Sequence, residues 1–462
     1  MASTTTTTIL DRCRIAPPLE GAAAAEQTLP VTFFDMPWLH FHPTQRLLFY
    51  KFPCSKAHFI DSILPNFKKS LSQTLKHFYP VAGSLFYPLN SDKFPEIRYV
   101  PGDSVPVTVA EASEALDLNF LTGDQPRVAD DFYAFFSELP PSETSPESEF
   151  EKIPLITAQI TLFPDAGVCV GFNNHHIVGD ASSIVRFIKA WCSVAKFGSD
   201  DELLCSSDSL PLYDRSVVSD PSGLLNHIWK QLKSFRIESR PLEFPLNKVR
   251  STFILQKRDI QKLRDFVQAK KPHVTHLSSF TITTAYVWSG LARSAAESGE
   301  EVADDEPEYF AFAVDGRSRT DPPVPAAYFG NCVGMGLVES THAELRGGDG
   351  FLAAVELIGD EIANKMNKKE EFLRDAGEWV QTFGRLMAKR LFGVAGSPKF
   401  DLYDADFGWG KPEKLEPVSI DGDGSMSLCK SREFEGGLEI GVSLPKKKMD
   451  AFANIFIEGL KL

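Results

Sequence analysis

Two apolar runs, Leu155 to Phe163 and Val168 to Phe172, are rich in Val, Ile and Thr and flank the turn signal Pro164-Asp165-Ala166-Gly167. They predict adjacent strands. Directly after them stands Asn173-Asn174-His175-His176-Ile177-Val178-Gly179-Asp180, followed by Ile184, Ile188, Trp191 and Ala195 at helical spacing, with Gly198 as a stop. The pattern is a strand-to-helix corner, a place where a side chain can be aimed into a cleft. Helices are also predicted from Phe59 to Tyr79, from Lys257 to Lys270 and from Ser279 to Ala295, and a strand from Ser251 to Leu255.

Strand-like and helix-like patterns alternate to about Leu204. From Cys205 to Val249 the periodicity fades and Ser, Asp and Pro accumulate, which predicts a crossover linker with a short helix near Gly223 to Phe235. The expected organisation is therefore an N-terminal unit over 1–204, a linker over 205–249 and a C-terminal unit over 250–462. The stretches Glu138 to Glu151 and Gly299 to Glu308 read as exposed acidic loops, and Lys446-Lys447-Lys448 as a solvated loop or helix start.

Composition narrows the class. A chain of 462 residues with 43% hydrophobic and 24% charged content can bury large cores and ordinarily makes two or three domains, of which two is the better expectation. A net charge of −14 offers no basic stripe to a phosphate backbone, so nucleic acid is not an expected partner. Cys13, Cys54, Cys169, Cys192, Cys205, Cys332 and Cys429 are dispersed and odd in number, which predicts reduced thiols rather than a disulfide framework. The Thr-rich start lacks the charged and apolar regions of a secretory signal, and no segment is apolar enough to span a bilayer, so a cytoplasmic protein with a frayed N-terminus is expected, with no membrane partner.

The chemistry centres on a histidine and a carboxylate four residues apart. Spacing does not separate His175 from His176. A metal site would need further ligands, and neither His-Glu-x-x-His nor Cys-x-x-Cys occurs, so no metal is expected. A second Gly-punctuated turn, Asp406-Phe407-Gly408-Trp409-Gly410, carries an acid and two large aromatics.

These two stretches, His176-Ile-Val-Gly-Asp180 and Asp406-Phe-Gly-Trp-Gly410, resemble the paired signatures of the plant BAHD acyl-coenzyme A-dependent acyltransferases. Tyr328-Phe329-Gly330-Asn331-Cys332, Leu29-Pro-Val-Thr-Phe-Phe-Asp35, Arg46-Leu-Leu-Phe-Tyr50 and Leu75-Lys-His-Phe-Tyr-Pro-Val-Ala-Gly83 are similar to the branch that acylates anthocyanin, flavonoid and other phenolic glycosides. The resemblance spans nearly the whole chain. It implies an α/β fold of two similar domains with mixed sheets flanked by helices, as in chloramphenicol acetyltransferase, and an active-site channel between them. Ala181 and Gly316 depart from the glycine and cysteine usual at those places, but neither change removes a catalytic group.

By the same resemblance His176 is the general base, Trp409 an indole donor to the oxyanion, and Asp406 a site residue that positions the Trp409 turn. Asp180 is expected to turn away from the channel and pair with Arg317, aiming His176 rather than completing a triad. Ser278 and Ser279 match a coenzyme A-contacting pair at a helix start, where helix caps are an equal reading. No Walker or Rossmann fingerprint is present. In the segment Trp38-Leu-His-Phe-His42-Pro-Thr-Gln-Arg46 the branch that uses malonyl-CoA carries a similar His and Arg, so His42 and Arg46 are expected to hold the malonyl carboxylate. The expected activity is transfer of malonyl from malonyl-CoA, used as a substrate with no resident cofactor, to a sugar hydroxyl of a phenolic glucoside by a monomer. The alternatives are hydroxycinnamoyl transfer to an anthocyanin glucoside and a silent binder of acyl-CoA or a phenolic ligand.

Overall fold

The computed structural model describes residues 7–89, 91–144, 148–204, 210–234 and 242–461. Cys205, the opening Thr run up to position 6 and parts of the linker expected over 205–249 lie outside the described residues. The architecture is two mixed sheets flanked by helices, with a smaller four-stranded antiparallel sheet beside the first.

The first sheet runs, in spatial order, Thr7–Ile15, Val105–Ala112, Ile156–Phe163, Gly167–Asn174, Thr44–Tyr50 and Lys414–Pro417. The expected strand pair is there as an antiparallel hairpin with Gly167 opposite Phe163 and Asn174 opposite Ile156. All eight residues of Gly167–Asn174 are buried, because neighbours cover both sheet faces, and its sequence is accordingly a nearly continuous apolar run rather than an alternation. Helix Ala181–Phe197 follows. Asp180 caps it through Ser183 N–H (3.0 Å), Gly198 ends it in the left-handed region at φ +78°, and Ile184, Ile188, Trp191 and Ala195 face the core.

The helical stretch expected from Phe59 begins at Lys56 and its last regular segment is Leu64–Leu75. It stops short of Tyr79, which instead opens the separate 3-10 turn Tyr79–Ala82 with Pro80 in its first turn. The remaining expectations lie close to the observed elements: Leu224–Ser234, Val249–Leu255, Lys257–Lys270 and Ser279–Glu297. Lys446 opens helix Lys446–Glu458. Glu308, expected in a solvated loop, is instead buried in strand Pro307–Asp315, where it accepts from His342 Nδ1 and Arg390 Nε at 2.7 Å each.

A division at 204 and 249 misses an exchange between the halves. Strand Lys414–Pro417, late in the chain, pairs with Thr44–Tyr50 and edges the first sheet, while Arg127–Val128, early in the chain, pairs with Val249–Leu255 and edges the seven-stranded second sheet. Glu416 fastens the exchange from a fully buried position, 2.5 Å from Arg127 and 3.0 Å from Arg250. Burial alone would raise the Glu416 carboxyl, yet the two guanidiniums hold it down at about 2. Arg250 also meets Asp421 at 2.6 Å.

Candidate active site

Strand Gly167–Asn174 delivers two adjacent histidines to the corner, and the structure separates their roles. His175 is 7% exposed, and its Nδ1 accepts from Ile177 N–H at 3.2 Å, closing the single turn His176–Val178. His176 is half-buried: its Nδ1 is enclosed while the rest of the residue keeps some accessible surface. Its imidazole is pushed down to about 3, first by burial and then by the positive charge of Arg46. The ring is therefore neutral near pH 7 and free to accept a proton.

Asp180 does not serve His176. Its two oxygens accept a fork from Arg317 (2.9 and 3.2 Å), together with the N–H groups of Ser183 (3.0 Å) and Cys332 (3.1 Å). Both partners of this pair are buried, and Arg317 also donates to Tyr328 O at 3.1 Å. The pair bolts the start of helix Ala181–Phe197 to the segment Tyr328–Cys332. Gly179 permits the close approach: a Cβ there would lie 2.7 Å from Ser183 Cβ, whose hydroxyl is occupied with both the N–H (3.0 Å) and the carbonyl (2.9 Å) of Gly330.

Four residues that had no role assigned from sequence gather around His176. Asn331 Nδ2 donates to the His176 carbonyl (3.1 Å) and to Asp35 Oδ1 (3.0 Å), and Asp35 also accepts the Asn331 N–H (3.1 Å). Trp38 lies flat against the imidazole, ring centroids 3.9 Å apart and planes within 13°, and Phe41 meets it edge-on at 5.6 Å. Their only signal in the chain was membership of the segments Leu29 to Asp35, Trp38 to Arg46 and Tyr328 to Cys332.

Arg46 is the unusual electrostatic feature. Its guanidinium donates to Asn174 Oδ1 at 2.9 Å, and among the described residues no carboxylate lies within 4.0 Å of it. Burial without an anion lowers its pKa to about 10. His42, whose Nδ1 stands 3.1 Å from Pro43 O, packs on Phe41 and adds a smaller electrostatic effect on His176. His42, Arg46 and His176 thus share one neighbourhood.

The structure does not bring the other expected residues there. The Trp409 indole meets Tyr50 edge-on at 5.4 Å and stacks near Phe52, Phe67 and Phe407. Tyr50 ends strand Thr44–Tyr50 opposite Val168, whereas the His176 end of the hairpin pairs with Thr44, six residues or roughly 20 Å away at ~3.3 Å per residue. The role of oxyanion donor expected for Trp409 is corrected accordingly: its ring is packing material at the far end of the sheet. Asp406 builds that turn, accepting from Gly408 and Gly410 N–H at 2.8 Å each and from Lys196 at 2.9 Å, with both glycines in the left-handed region at φ +95° and +91°. Ser278 caps helix Ser279–Glu297 through Thr281 N–H (3.1 Å), and Ser279 Oγ receives Arg264 at 3.5 Å. Neither serine contacts His176. Among the described residues no cluster of three His, Cys, Asp or Glu is arranged for a metal, and no helix is long and apolar enough to cross a membrane.

This placement carries a prediction. Trp409→Phe is expected to leave kcat within about threefold of the parent, while Asp406→Asn lowers stability by ~1–2 kcal/mol through its hydrogen bonds to the turn. Calorimetry beside initial rates measured well below the melting temperature checks both. A hundredfold loss of kcat in either variant at unchanged Tm would return that residue to the reaction centre.

The comparisons with known proteins agree with this architecture. A family model described as the Transferase family matches residues 7–458. The chain is 46% identical to malonyl-coenzyme:anthocyanin 5-O-glucoside-6'''-O-malonyltransferase of Salvia splendens, over 98% of this chain and 95% of the relative. It is 43% identical to phenolic glucoside malonyltransferase 1 of Nicotiana tabacum, over 98% and 99%. The crystal structure of vinorine synthase superposes with a TM-score of 0.67 at 19% identity, covering 96% of each chain, a likeness of fold. With the family model matched over residues 7–458 and two relatives above 40% identity, the chain belongs to the Transferase family, the BAHD acyl-coenzyme A-dependent acyltransferases.

Proposed function

We propose that this acyltransferase moves a malonyl group from malonyl-CoA to a sugar hydroxyl of a phenolic or flavonoid glucoside, the glucose 6-hydroxyl being the natural acceptor. The observation that carries this reading is Arg46: a half-buried guanidinium beside His176 with no carboxylate within 4.0 Å among the described residues. Such a cation is costly unless an anion completes it, and a malonyl carboxylate is an anion of the right charge and planar shape for an arginine fork. The malonyltransferase names of the two relatives support the same donor.

In this mechanism both substrates bind together in a channel between the two halves. The neutral His176 takes the proton of the acceptor hydroxyl as its oxygen attacks the thioester carbonyl. Collapse of the tetrahedral intermediate breaks the C–S bond, and the imidazolium returns the proton to the departing thiolate. Holding hydroxyl and thioester in one complex supplies the entropic advantage of an intramolecular step and removes any need for an acyl-enzyme. Asp180 and Arg317 keep the corner rigid, and Ser278 and Ser279 at their helix start offer polar contacts to coenzyme A. In this reading the enzyme acts as a monomer in the cytoplasm.

The test is mass spectrometry of the purified protein incubated with a panel of phenolic and flavonoid glucosides, supplied separately with malonyl-CoA, coumaroyl-CoA and acetyl-CoA. The expected product is a malonyl ester on glucose, formed fastest from malonyl-CoA. Preference for coumaroyl-CoA overturns the donor assignment and leaves the base chemistry in place.

A further inference from the structure

A base that becomes an imidazolium in the transition state needs something to stabilise that charge. In a triad a carboxylate does this, but here both oxygens of Asp180 are committed to Arg317, Ser183 and Cys332. The groups facing His176 from each neighbouring element are otherwise unfavourable or weak. Arg46 on strand Thr44–Tyr50 and His42 in the preceding segment oppose a second positive charge. Nδ1 makes no hydrogen bond of full geometry; its own carbonyl and the Asn331 side chain give slight support, and Asn331 Oδ1 is itself without a bonded partner. What remains is the π face of Trp38, parallel to the imidazole with centroids 3.9 Å apart.

We propose that Trp38 is a positioning residue for the transfer reaction: its indole fixes the rotation of the His176 ring and stabilises the imidazolium formed when the acceptor's proton is taken. The geometry meets both requirements. Flat contact on one face, with Phe41 edge-on to both rings at 5.6 Å from His176 and 5.2 Å from Trp38, leaves the imidazole no room to rotate about χ2 without lifting off the indole. A cation within ~6 Å of an indole centroid is attracted by the ring quadrupole, more strongly where water is excluded. Trp38 is itself well held. It closes the single turn Met36–Trp38 with its N–H on Asp35 O at 3.1 Å, and Asp35 is clamped to Asn331, which grips the His176 carbonyl. One short segment therefore fixes both the backbone and the ring of the base.

The inference rests on His176 being the general base, and the experiment separates the two. Steady-state kinetics with malonyl-CoA and an accepted glucoside would compare Trp38→Leu, Trp38→Phe and the parent, with Tm recorded for each. Trp38→Leu is expected to lower kcat about 3- to 30-fold with KM for both substrates within about threefold, and Trp38→Phe to recover most of the loss, since a benzene face also attracts a cation. A Trp38→Leu variant with parental kcat and raised acceptor KM would make Trp38 a wall for the acceptor and overturn the proposal. So would a Phe variant no better than Leu. Should Trp38→Leu fail to fold, Trp38→Met, of more comparable length, carries the same comparison with Phe. Full turnover in His176→Ala would sink the base assignment itself, whatever the Trp38 variants do.

Discussion

His176→Ala is expected to reduce kcat by about 10²–10⁴-fold, the range for removing a positioned general base, while leaving the fold and acyl-CoA affinity in place. The fold should survive because His176 contributes little to it through its side chain: the ring meets Trp38 and Phe41, but the hydrogen bond that ties this corner to Asn331 is made by the backbone carbonyl, which alanine retains. His175→Ala should behave differently, losing the cap on the turn His176–Val178 and with it stability before chemistry. Single-turnover product formation, measured beside circular dichroism and ligand-binding titration, distinguishes the two. Turnover within tenfold of the parent in a folded His176→Ala protein would refute the base assignment.

The same histidines set a pH dependence of stability whose sign follows from linkage. An unfolded histidine titrates near 6.5, whereas burial, the larger effect, and nearby positive charge hold His175 and His176 at about 3 in the native state. Below pH 6.5 the unfolded chain therefore takes up protons that the native state refuses. The stability these neutral rings allow is present above pH 6.5 and is lost as pH falls from there toward 3. With one of the two rings removed, His176→Ala should lose less stability than the parent between pH 7 and pH 5.

Much of the fold was legible because its elements carry strong local signals. The hairpin before His176 declares itself by two β-branched runs around a Pro-Asp-Ala-Gly turn, and helix Lys257–Lys270 by its amphipathic spacing. The strand exchange was not, since Arg127–Val128 has two residues and Lys414–Pro417 four, too short for any alternation to stand out. Their pairing is decided by partners more than a hundred residues away. At the site, resemblance chose His176 over His175 and gave Asp180 its arginine, and the hydrogen bonds bear out that pairing. It misled at Trp409, because a recurrent motif marks a position that matters without saying whether it matters to the turn or to the reaction. Asn331, Asp35 and Trp38 act through contacts between segments far apart in the chain, and no spacing rule could bring them together.

Arg46→Met is expected to lower kcat/KM for malonyl-CoA by roughly 30- to 5000-fold, the 2–5 kcal/mol lost when one partner of a desolvated charge pair is removed. Acetyl-CoA, which brings no carboxylate, should stay within about threefold of the parent. Methionine fills similar volume without charge, so the free protein is relieved of a half-buried cation that has no carboxylate partner among the described residues, and its Tm should hold. Arg46→Lys keeps the charge but loses the planar fork, and should fall between parent and Met with malonyl-CoA. Equal losses with both donors, together with a lower Tm, would assign Arg46 to the fold through its bond to Asn174. A selective loss would instead mean that the protein leaves a guanidinium without an acid because the substrate carries the acid in. Binding and catalysis then share one charge: burial depresses His176 most, and a malonyl carboxylate on Arg46 cancels the positive field that adds to it, so the donor that fits best also meets the more basic imidazole.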